Sequence, residues 1–284
     1  MTAWTRAAAL IAAAAGALCA LPVAAETTLE RIERTGEIRL AVRRDAPPHS
    51  WMEAGAARGY SVEICLEAAK RIAKNDGLPG MAFVYVPVTA ADRFEAIAEG
   101  RADLLCGAAT VTLARRERVE FSLATFVDGA GVMLRAGEET DFSGLAGKRL
   151  GVLEDTTTAR ALRATLEGTG MAAEIVAQDA HDAAAAALLD GRIDAYFADH
   201  SILLFLAAAA ADPTRLAIAD NTLTVERHAL ALRKGDEAFR TAVDRALSQM
   251  HREGEMAAIF RRVFPGARPG PGLAALLLLG GLQD

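Results

Sequence analysis

Three arginines in the first half of the chain follow apolar runs that are typical of β-strands. Arg43 lies at the end of the first run, Arg93 opens a helical segment after the next, and Arg115 follows the third. In open α/β sheets, ligands bind beyond the carboxyl ends of the strands. A guanidinium group holds a carboxylate through two parallel hydrogen bonds, which an ammonium group cannot match. Taken singly, each arginine could equally be a solvated surface residue, but together they predict a site for a ligand with more than one carboxylate.

Threonine hydroxyls and a helix start add to this candidate site. Thr110 follows the third strand, and the run Asp155, Thr156, Thr157 precedes a helical stretch in the second half of the chain. The free N–H groups and the dipole at a helix N-terminus favour a carboxylate. A plain N-terminal cap explains the same threonines equally well, so both interpretations stay open.

Two further polar residues come from the second half of the chain. Asp199 stands just past a short apolar strand, where a carboxylate could bind an ammonium group. His181 precedes the next helix and is either a polar ligand contact or a loop residue. Three arginines against one aspartate leave a cationic pocket, which suits a ligand with two carboxylates and one amine.

The elements that would position these residues occur twice. Segments 94–107 and 184–198 each read as an apolar-periodic helix that is followed by Gly-Arg, a single Asp and a short apolar strand. Segments 35–42 and 146–152 also resemble each other. Gly-Arg-x-Asp alone is a common way to end a helix and begin a strand. Two landmarks that recur in the same order nevertheless indicate two similar α/β units, and clefts between domains are where small ligands usually bind.

This repetition predicts an α/β, two-lobed fold in which two hinge strands join the lobes. Residues 26–134 and 229–284 are expected to form the first lobe, including the C-terminal helices, and residues 135–228 the second. The chain would cross to the second lobe near Arg135 and return near His228. Hinge closure around a ligand is an established switching mode.

Composition and motifs exclude several classes of function. The chain has 284 residues, a net charge of -6 and 5% aromatic residues. A nucleic-acid-binding protein would carry a basic patch, and no basic run interleaved with aromatics occurs. No Ser-His-Asp order or Gly-rich phosphate loop is visible, and the scattered histidines lack the ligand spacing of a zinc site. The sequence therefore predicts a binding protein rather than an enzyme, with no metal and no cofactor.

The N-terminal residues 1–25 are typical of a secretory signal peptide. Arg6 gives a weakly positive start, residues 7–21 are apolar, and small residues precede the expected cleavage after Ala25. An uncleaved membrane anchor is the alternative, although the alanine-rich stretch is only weakly hydrophobic. A signal peptide predicts a periplasmic protein. The apolar run 273–282 is too short to span a bilayer and is expected to form a terminal helix that packs on a lobe.

Two cysteines, Cys65 and Cys106, remain after removal of the signal peptide. An even count in an exported chain fits a disulfide, which would stabilise the fold by roughly 3–4 kcal/mol in the chain-entropy model. Two buried thiols on neighbouring elements are the alternative.

Five longer motifs, taken in combination, resemble a known family. They are residues 59–65 (GYSVEIC), 85–94 (YVPVTAADRF), 102–110 (ADLLCGAAT), 114–122 (ARRERVEFS) and 126–130 (FVDGA). They are similar to the glutamate/aspartate-binding periplasmic proteins of ABC importers, within the bacterial extracellular solute-binding proteins of family 3. The resemblance extends over essentially the whole mature chain, and it implies the type II periplasmic-binding-protein fold.

The resemblance also implies a division of roles among the candidate residues. The α-carboxylate of the ligand would be held by Arg115, Thr110, Thr156 and Thr157. The α-ammonium group would be bound by Asp199. The side-chain carboxylate would be held by Arg43, Arg93 and His181. Ala90 and Ala108 stand where related sequences carry serine contacts, so the choice among glutamate, aspartate and a related acid stays open.

The function implied by the resemblance is transport. The protein would capture an acidic amino acid between its lobes, act as a monomer, and deliver the ligand to the membrane permease of an ABC importer. The alternative is a periplasmic dehydratase of prephenate-like acids on the same fold, for which His181 is the one ready general acid. A sensor that feeds a signalling partner is a third interpretation.

Overall fold

The computed structural model describes residues 26–78, 80–138 and 142–283, so the predicted signal peptide lies outside the described residues. The helices are α1 (Thr28–Thr35), α2 (Tyr60–Asn75), α3 (Arg93–Ala98), α4 (Leu113–Arg116), α5 (Thr157–Thr169), α6 (His181–Leu189), α7 (His200–Ala209), α8 (Glu237–Arg252), α9 (Glu255–Val263) and α10 (Pro271–Leu279). The strands are β1 (Glu37–Arg43), β2 (Asp45–Ala46), β3 (Ser50–Glu53), β4 (Ala56–Arg58), β5 (Ala82–Val88), β6 (Leu104–Cys106), β7 (Val119–Asp128), β8 (Ala130–Arg135), β9 (Arg149–Leu153), β10 (Glu174–Gln178), β11 (Ala195–Asp199), β12 (Leu216–Ile218) and β13 (Glu226–Arg233).

The first sheet has the strand order β5-β1-β6-β13-β7. Strand β1 pairs in parallel with β5 and β6, whereas β13 runs antiparallel to β6 and β7. Alternate side chains of β1 enter two separate cores: Leu40 packs with α2 and α8, and Ala41 packs with α3. Because helices cover both faces of this sheet, three successive residues of β1, Leu40–Val42, are apolar and buried.

The second sheet has the strand order β10-β9-β11-β8-β12. Strand β9 pairs in parallel with β10 and β11, and β8 runs antiparallel to β11 and β12. Leu150 packs with α5, and Tyr196 packs with α6 and α7. In both sheets, the first parallel strand lies between the second and the third, and two further strands follow on one side. The predicted two-lobed α/β fold is confirmed, and the units around the first and second sheets are called the first and second units below.

The repeated Gly-Arg-x-Asp segment has the same structural role in both units. Asp103 accepts the backbone N–H of Arg39 at 2.7 Å and the Arg39 guanidinium at 3.2 Å. Asp194 likewise accepts the backbone N–H of Arg149 at 2.9 Å and the Arg149 guanidinium at 2.9 Å. Each aspartate therefore joins the start of the third parallel strand of its unit to the first strand.

The two chain crossings between the units lie beside each other. Strand β7 belongs to the first sheet and β8 to the second, so the first crossing is at Gly129, not near Arg135 as predicted. The return lies between β12 and β13, before His228. A Cβ atom on Gly129 would lie 2.1 Å from the Thr224 carbonyl oxygen, so only glycine fits where the crossings meet. The sequence alone puts the first crossing after β8 instead of before it, because the apolar run of β8 does not indicate which sheet this strand joins.

The predicted disulfide between Cys65 and Cys106 is confirmed. It connects α2 to β6 within the first unit, with a Cα–Cα distance of 5.9 Å. Closing a loop with a sequence separation of 41 residues would stabilise the fold by about 4 kcal/mol if the whole effect were chain entropy.

Helix α10 packs on the first unit, as predicted for the apolar C-terminal run. Leu273 is buried in the core that contains α2 and α8, and Gly272 lies against Val127 of β7. Among the described residues, no helix combines the length and the apolar character that crossing a membrane requires.

Candidate ligand-binding cleft

A cavity between the two units lies at the carboxyl ends of β1, β6, β9 and β11. All eight residues that the sequence proposed for a site line its wall: Arg43, Arg93, Thr110, Arg115, Thr156, Thr157, His181 and Asp199. The apolar part of the wall is formed by Ala108, Leu153, Phe197, Ala198 and Ile202. The fold thus brings the eight residues together, and their individual roles toward a ligand stay a prediction.

Arg43, at the end of β1, is already paired within the first unit. Its Nε and Nη2 donate to Asp45 Oδ1 at 3.0 and 2.8 Å, and its backbone N–H donates to Ser50 Oγ at 2.9 Å. The side chain of Arg43 is 4% exposed. Asp45 therefore offsets the charge of Arg43 before any ligand binds.

Arg93, at the start of α3, has no such carboxylate partner among residues 26–78, 80–138 and 142–283. Its Nη2 donates to the Asp155 carbonyl oxygen at 3.1 Å across the cleft, but Nε and Nη1 are buried and have no hydrogen-bond partner in the described ranges. Burial lowers the pKa of Arg93 well below its usual value, and the charges of Arg43 and Arg115 lower it further. Because a guanidinium group stays protonated in proteins, the cavity contains a buried cation that makes no salt bridge with any described residue, although Asp199 and Asp155 attract it from a longer distance.

Arg115 is held by α4 and by an aromatic ring. Thr112 caps α4 by accepting the Arg115 backbone N–H at 3.2 Å, and Arg115 Nη1 donates to the Thr110 carbonyl oxygen at 2.7 Å. The guanidinium carbons of Arg115 and Arg93 lie 4.6 and 4.7 Å from the centroid of the Phe94 ring, within the range of a cation–π interaction. Burial lowers the pKa of Arg115 to about 10.

A buried glutamate binds the threonines of the two units together. Thr110 Oγ1 and Thr157 Oγ1 donate to Glu226 Oε2 at 2.5 and 2.8 Å, and Thr224 Oγ1 donates to Glu226 Oε1 at 2.9 Å. Thr110 belongs to the first unit and Thr157 starts α5 in the second, so Glu226 bridges the cleft. Thr156 caps α5 by accepting the Ala159 backbone N–H at 3.0 Å, which is the capping role that the sequence left open.

Asp199 and His181 complete the polar wall from the second unit. Burial, together with repulsion from Asp128 and Glu226, raises the pKa of Asp199 well above its usual value. His181 Nδ1 lies 2.6 Å from the Tyr196 hydroxyl, and burial lowers its pKa to about 3. Burial therefore favours the neutral form of the His181 imidazole at neutral pH.

Sequence reasoning missed three polar residues next to the site, Asp45, Glu226 and His228. Asp45 follows Arg43 at a spacing of two residues, which places side chains on the same face of an extended backbone, so a signal was present. Glu226 and His228 have the same spacing on β13 and are both buried. Nothing in the sequence indicates that this strand passes beneath the cavity, because its position depends on where the chain returns to the first unit.

The strand orders, the two units and the cleft between them define the type II fold of periplasmic binding proteins. The chain belongs to the bacterial extracellular solute-binding proteins, family 3, whose family model matches residues 38–266.

Relatives within this family bind different solutes. The chain is 30% identical over 270 residues to an L-glutamate/L-aspartate-binding protein of Pseudomonas aeruginosa, which covers 93% of this chain and 89% of the relative. It is 28% identical over 248 residues to a glutamate/aspartate import solute-binding protein of Escherichia coli, with 87% and 82% of the two chains covered. A crystal structure of a solute receptor for L-cysteine of Neisseria gonorrhoeae matches with a TM-score of 0.74 and 28% identity, covering 87% of this chain and 98% of that one.

Proposed function

We propose that the protein is a periplasmic receptor that binds an acidic amino acid between its two units and delivers it to the permease of an ABC importer. The observation that carries this proposal is the Arg93 guanidinium group in the cavity wall, because two of its buried nitrogens have no hydrogen-bond partner among the described residues. A buried cation without a counter-ion is unfavourable, and a ligand carboxylate would supply the missing charge and two hydrogen bonds. The names of the relatives in Pseudomonas aeruginosa and Escherichia coli agree with this ligand class.

Other residues of the cavity wall would hold the α-carboxylate and α-ammonium groups of the ligand. Arg115 and the N-terminus of α5 offer hydrogen-bond donors for an α-carboxylate, and the dipole of that helix adds to the attraction. Asp199 would accept the α-ammonium group, whose positive charge offsets the repulsion that Asp199 experiences from Glu226 and Asp128. Both ends of an α-amino acid would then be neutralised.

The charge balance of the cavity differs from the count made on the sequence. Arg43 is neutralised by Asp45, and Glu226 adds a second carboxylate beside Arg115. The cavity is therefore less cationic than three arginines against one aspartate would make it. Selectivity for a second carboxylate then depends on Arg93, and Arg43 would contribute mainly by holding the wall in place.

The test is a thermal-shift screen of the twenty amino acids and small dicarboxylates, followed by calorimetry on Arg93→Ala. Loss of one partner of a buried charge pair costs about 2–5 kcal/mol, so glutamate or aspartate should bind at least about 30-fold more weakly. A neutral amino acid such as glutamine should be affected much less. Arg192→Ala removes a cation whose side chain is 62% exposed, and it should leave both affinities unchanged.

Two outcomes would count against the proposal. If no amino acid raises the unfolding temperature of the wild-type protein, the receptor function is wrong. If Arg93→Ala weakens glutamine and glutamate equally, Arg93 does not recognise the side-chain carboxylate, and the ligand class is wrong.

A further inference from the structure

We propose that His49, Asp128 and His228 form a binding site for a divalent transition-metal ion of the zinc class. The three residues lie where the two units and their connecting strands meet, and none of them lines the cavity described above. This inference goes beyond receptor function, because it concerns a second site with a different chemistry.

The fold brings together donor atoms that the sequence keeps far apart. His49 lies between β2 and β3, Asp128 ends β7, and His228 lies in β13. One donor atom from each residue lies within 4.8 Å of the other two, and His49 Nε2 is 3.7 Å from Asp128 Oδ2. The side chains of His49, His228 and Asp128 are 0%, 1% and 5% exposed.

The imidazole of His228 is the feature that points to a bound cation. Both of its ring nitrogens are buried and lack a hydrogen-bond partner in the part of the chain that the structure describes, as does His49 Nδ1. The Asp199 carboxylate is 3.6 Å from His228 Nε2, which is too long for a hydrogen bond. A buried polar atom without a partner carries a free-energy penalty, and coordination of a metal would remove this penalty for one of the two His228 nitrogens.

The surrounding charges also favour a cation. Asp128, Asp199 and Glu226 are three carboxylates in one neighbourhood, and repulsion from the first and third acts on Asp199. The side chains of Asp128 and Asp199 are 5% and 14% exposed, and Glu226 is buried. Glu226 already accepts three threonine hydroxyls, so its oxygens are the least available for a metal. Asp128 therefore supplies the carboxylate ligand, and Asp199 faces the metal from the side of the cavity.

The donor set indicates which metal would bind. Imidazole nitrogens suit zinc, copper and nickel rather than calcium or magnesium, and two histidines with one carboxylate form a three-residue zinc site with an open fourth position. In a tetrahedral site with zinc–ligand distances of about 2.0–2.2 Å, neighbouring ligand atoms lie about 3.3 Å apart. The three donor atoms lie at most 4.8 Å from one another in the structure. Metal binding therefore requires each pair of donor atoms to approach by about 1.5 Å at most. Phe126 and Phe264 pack around the His49 ring, and such an apolar shell limits access of water to a metal.

Coordination changes one existing hydrogen bond. Ser201 Oγ donates its only proton to Asp128 Oδ2, so His49 Nε2, at 2.8 Å from Ser201 Oγ, is the donor in that pair. Metal binding through Nε2 moves the ring proton to Nδ1 without a change in net protonation. The bond from Ser201 to Asp128 then orients the carboxylate toward the metal, as outer-shell hydrogen bonds do in zinc sites.

The experiment is calorimetric titration of ZnCl₂ into chelator-treated protein made without a histidine tag, with the bound stoichiometry read by native mass spectrometry. We expect one zinc per chain, bound at least about 10-fold more weakly by His228→Gln, His49→Phe and Asp128→Asn. His251→Gln is the control: His251 Nδ1 lies 3.5 Å from the Leu277 carbonyl oxygen, and His251 is not one of the proposed ligands. This variant should bind zinc like the wild type. Arg93→Ala should also keep zinc binding, which separates this site from the receptor function.

Several results would overturn the proposal. They are the absence of zinc binding by the wild type, an equal loss in His251→Gln, or a loss in Glu226→Gln as large as that in Asp128→Asn. The last result would move the site to Asp199, Glu226 and His228. If His228→Gln fails to fold, the visible absorption spectrum of Co²⁺ bound to the wild type tests the assignment. A spectrum that lacks the absorption bands of tetrahedral Co²⁺ with nitrogen ligands would contradict it.

Discussion

At the scale of single residues, the cavity shows three ways to bury a guanidinium group. Arg43 has a carboxylate partner in Asp45. Arg115 donates to the Thr110 carbonyl oxygen and lies against the Phe94 ring. Arg93 has the same ring and one carbonyl oxygen, but two of its nitrogens face no acceptor in the described structure. Because an uncompensated buried charge is destabilising, the demand for a ligand anion is concentrated at Arg93.

The residues of this site could be predicted from sequence, but their pairing could not. The carboxyl ends of parallel strands meet at one edge of a sheet, so Arg43 and Thr110 are expected near each other in the first unit. Asp199 is expected at the matching edge of the second unit, and the two edges meet only if the units face a shared cleft. Which arginine stays free depends on Asp45 and Glu226, whose side chains reach the cavity through contacts that form only in the folded protein.

The buried imidazole of His181 should make stability depend on pH. Burial lowers the pKa of His181 from 6.5 to about 3, so between these values the unfolded state binds more protons than the folded state. The stability that the neutral His181 imidazole allows is fully present above its pKa in the unfolded chain, and it is lost as the pH falls toward its pKa in the folded protein. We expect the free energy of unfolding in urea to fall by about 3 kcal/mol between pH 7 and pH 4 because of this residue.

The variant His181→Gln isolates that contribution. Between pH 7 and pH 4, the free energy of unfolding of the variant should fall by roughly 3 kcal/mol less than that of the wild type. A variant whose pH dependence overlays the wild-type curve would show that His181 is not the group responsible.

At the scale of elements, the repeated aspartates explain why the two units look alike in sequence. Asp103 and Asp194 each accept a backbone N–H from the first strand of their unit. The aspartate therefore fixes the register between two parallel strands that are far apart in the chain. The sequence predicted the duplication from this motif, and the structure supplies the reason for the motif.

Asp103 should contribute more to stability than an ordinary surface aspartate. It accepts hydrogen bonds from Arg39 and from Arg31 Nη2, the latter at 2.5 Å, and its side chain is 4% exposed. Removing one member of a buried charge network costs about 3–5 kcal/mol, and the partial exposure of both arginines places Asp103→Asn near 3 kcal/mol. Equilibrium urea unfolding measures this loss.

Asp190→Asn is the matched control for that measurement. Asp190 pairs with Arg192, and both side chains are 62% exposed, so the loss should be at most about 0.5 kcal/mol. Equal losses in the two variants would mean that the buried contacts of Asp103 do not hold the strands together.

The crossings between the units mark the limit of prediction at this scale. Both sheets contain short apolar strands, so the run Ala130–Arg135 fits either sheet by composition. Its place in the second sheet follows from pairing with β11, and the close approach of Gly129 to Thr224 then fixes where the two crossings meet. Pairings between strands that are remote in sequence carry no local signal.

At the scale of the whole molecule, side chains of the two units contact each other directly. Glu226 joins Thr110 to Thr157, His49 Nε2 lies 2.8 Å from Ser201 Oγ, and Trp51 packs on Phe205. The contacts combine residues of the first unit or its connecting strands with residues of the second. Such contacts would be broken whenever the cleft opens, so each one should favour the closed arrangement of a receptor with a hinge.

The aromatic contact between Trp51 and Phe205 offers a direct test of this closure. The ring centroids are 5.9 Å apart, and an aromatic pair contributes about 0.5–1.5 kcal/mol beyond its buried area. Trp51→Ala should therefore release the tightest amino acid of the screen about 3–10-fold faster, as measured by stopped-flow displacement, and should enlarge the ligand-free radius of gyration in X-ray scattering. Leu204→Ala changes a side chain on the same helix that is 51% exposed, and its release rate should match the wild type. Release that is unchanged in Trp51→Ala, or equally fast in Leu204→Ala, would show that this contact does not hold the cleft closed.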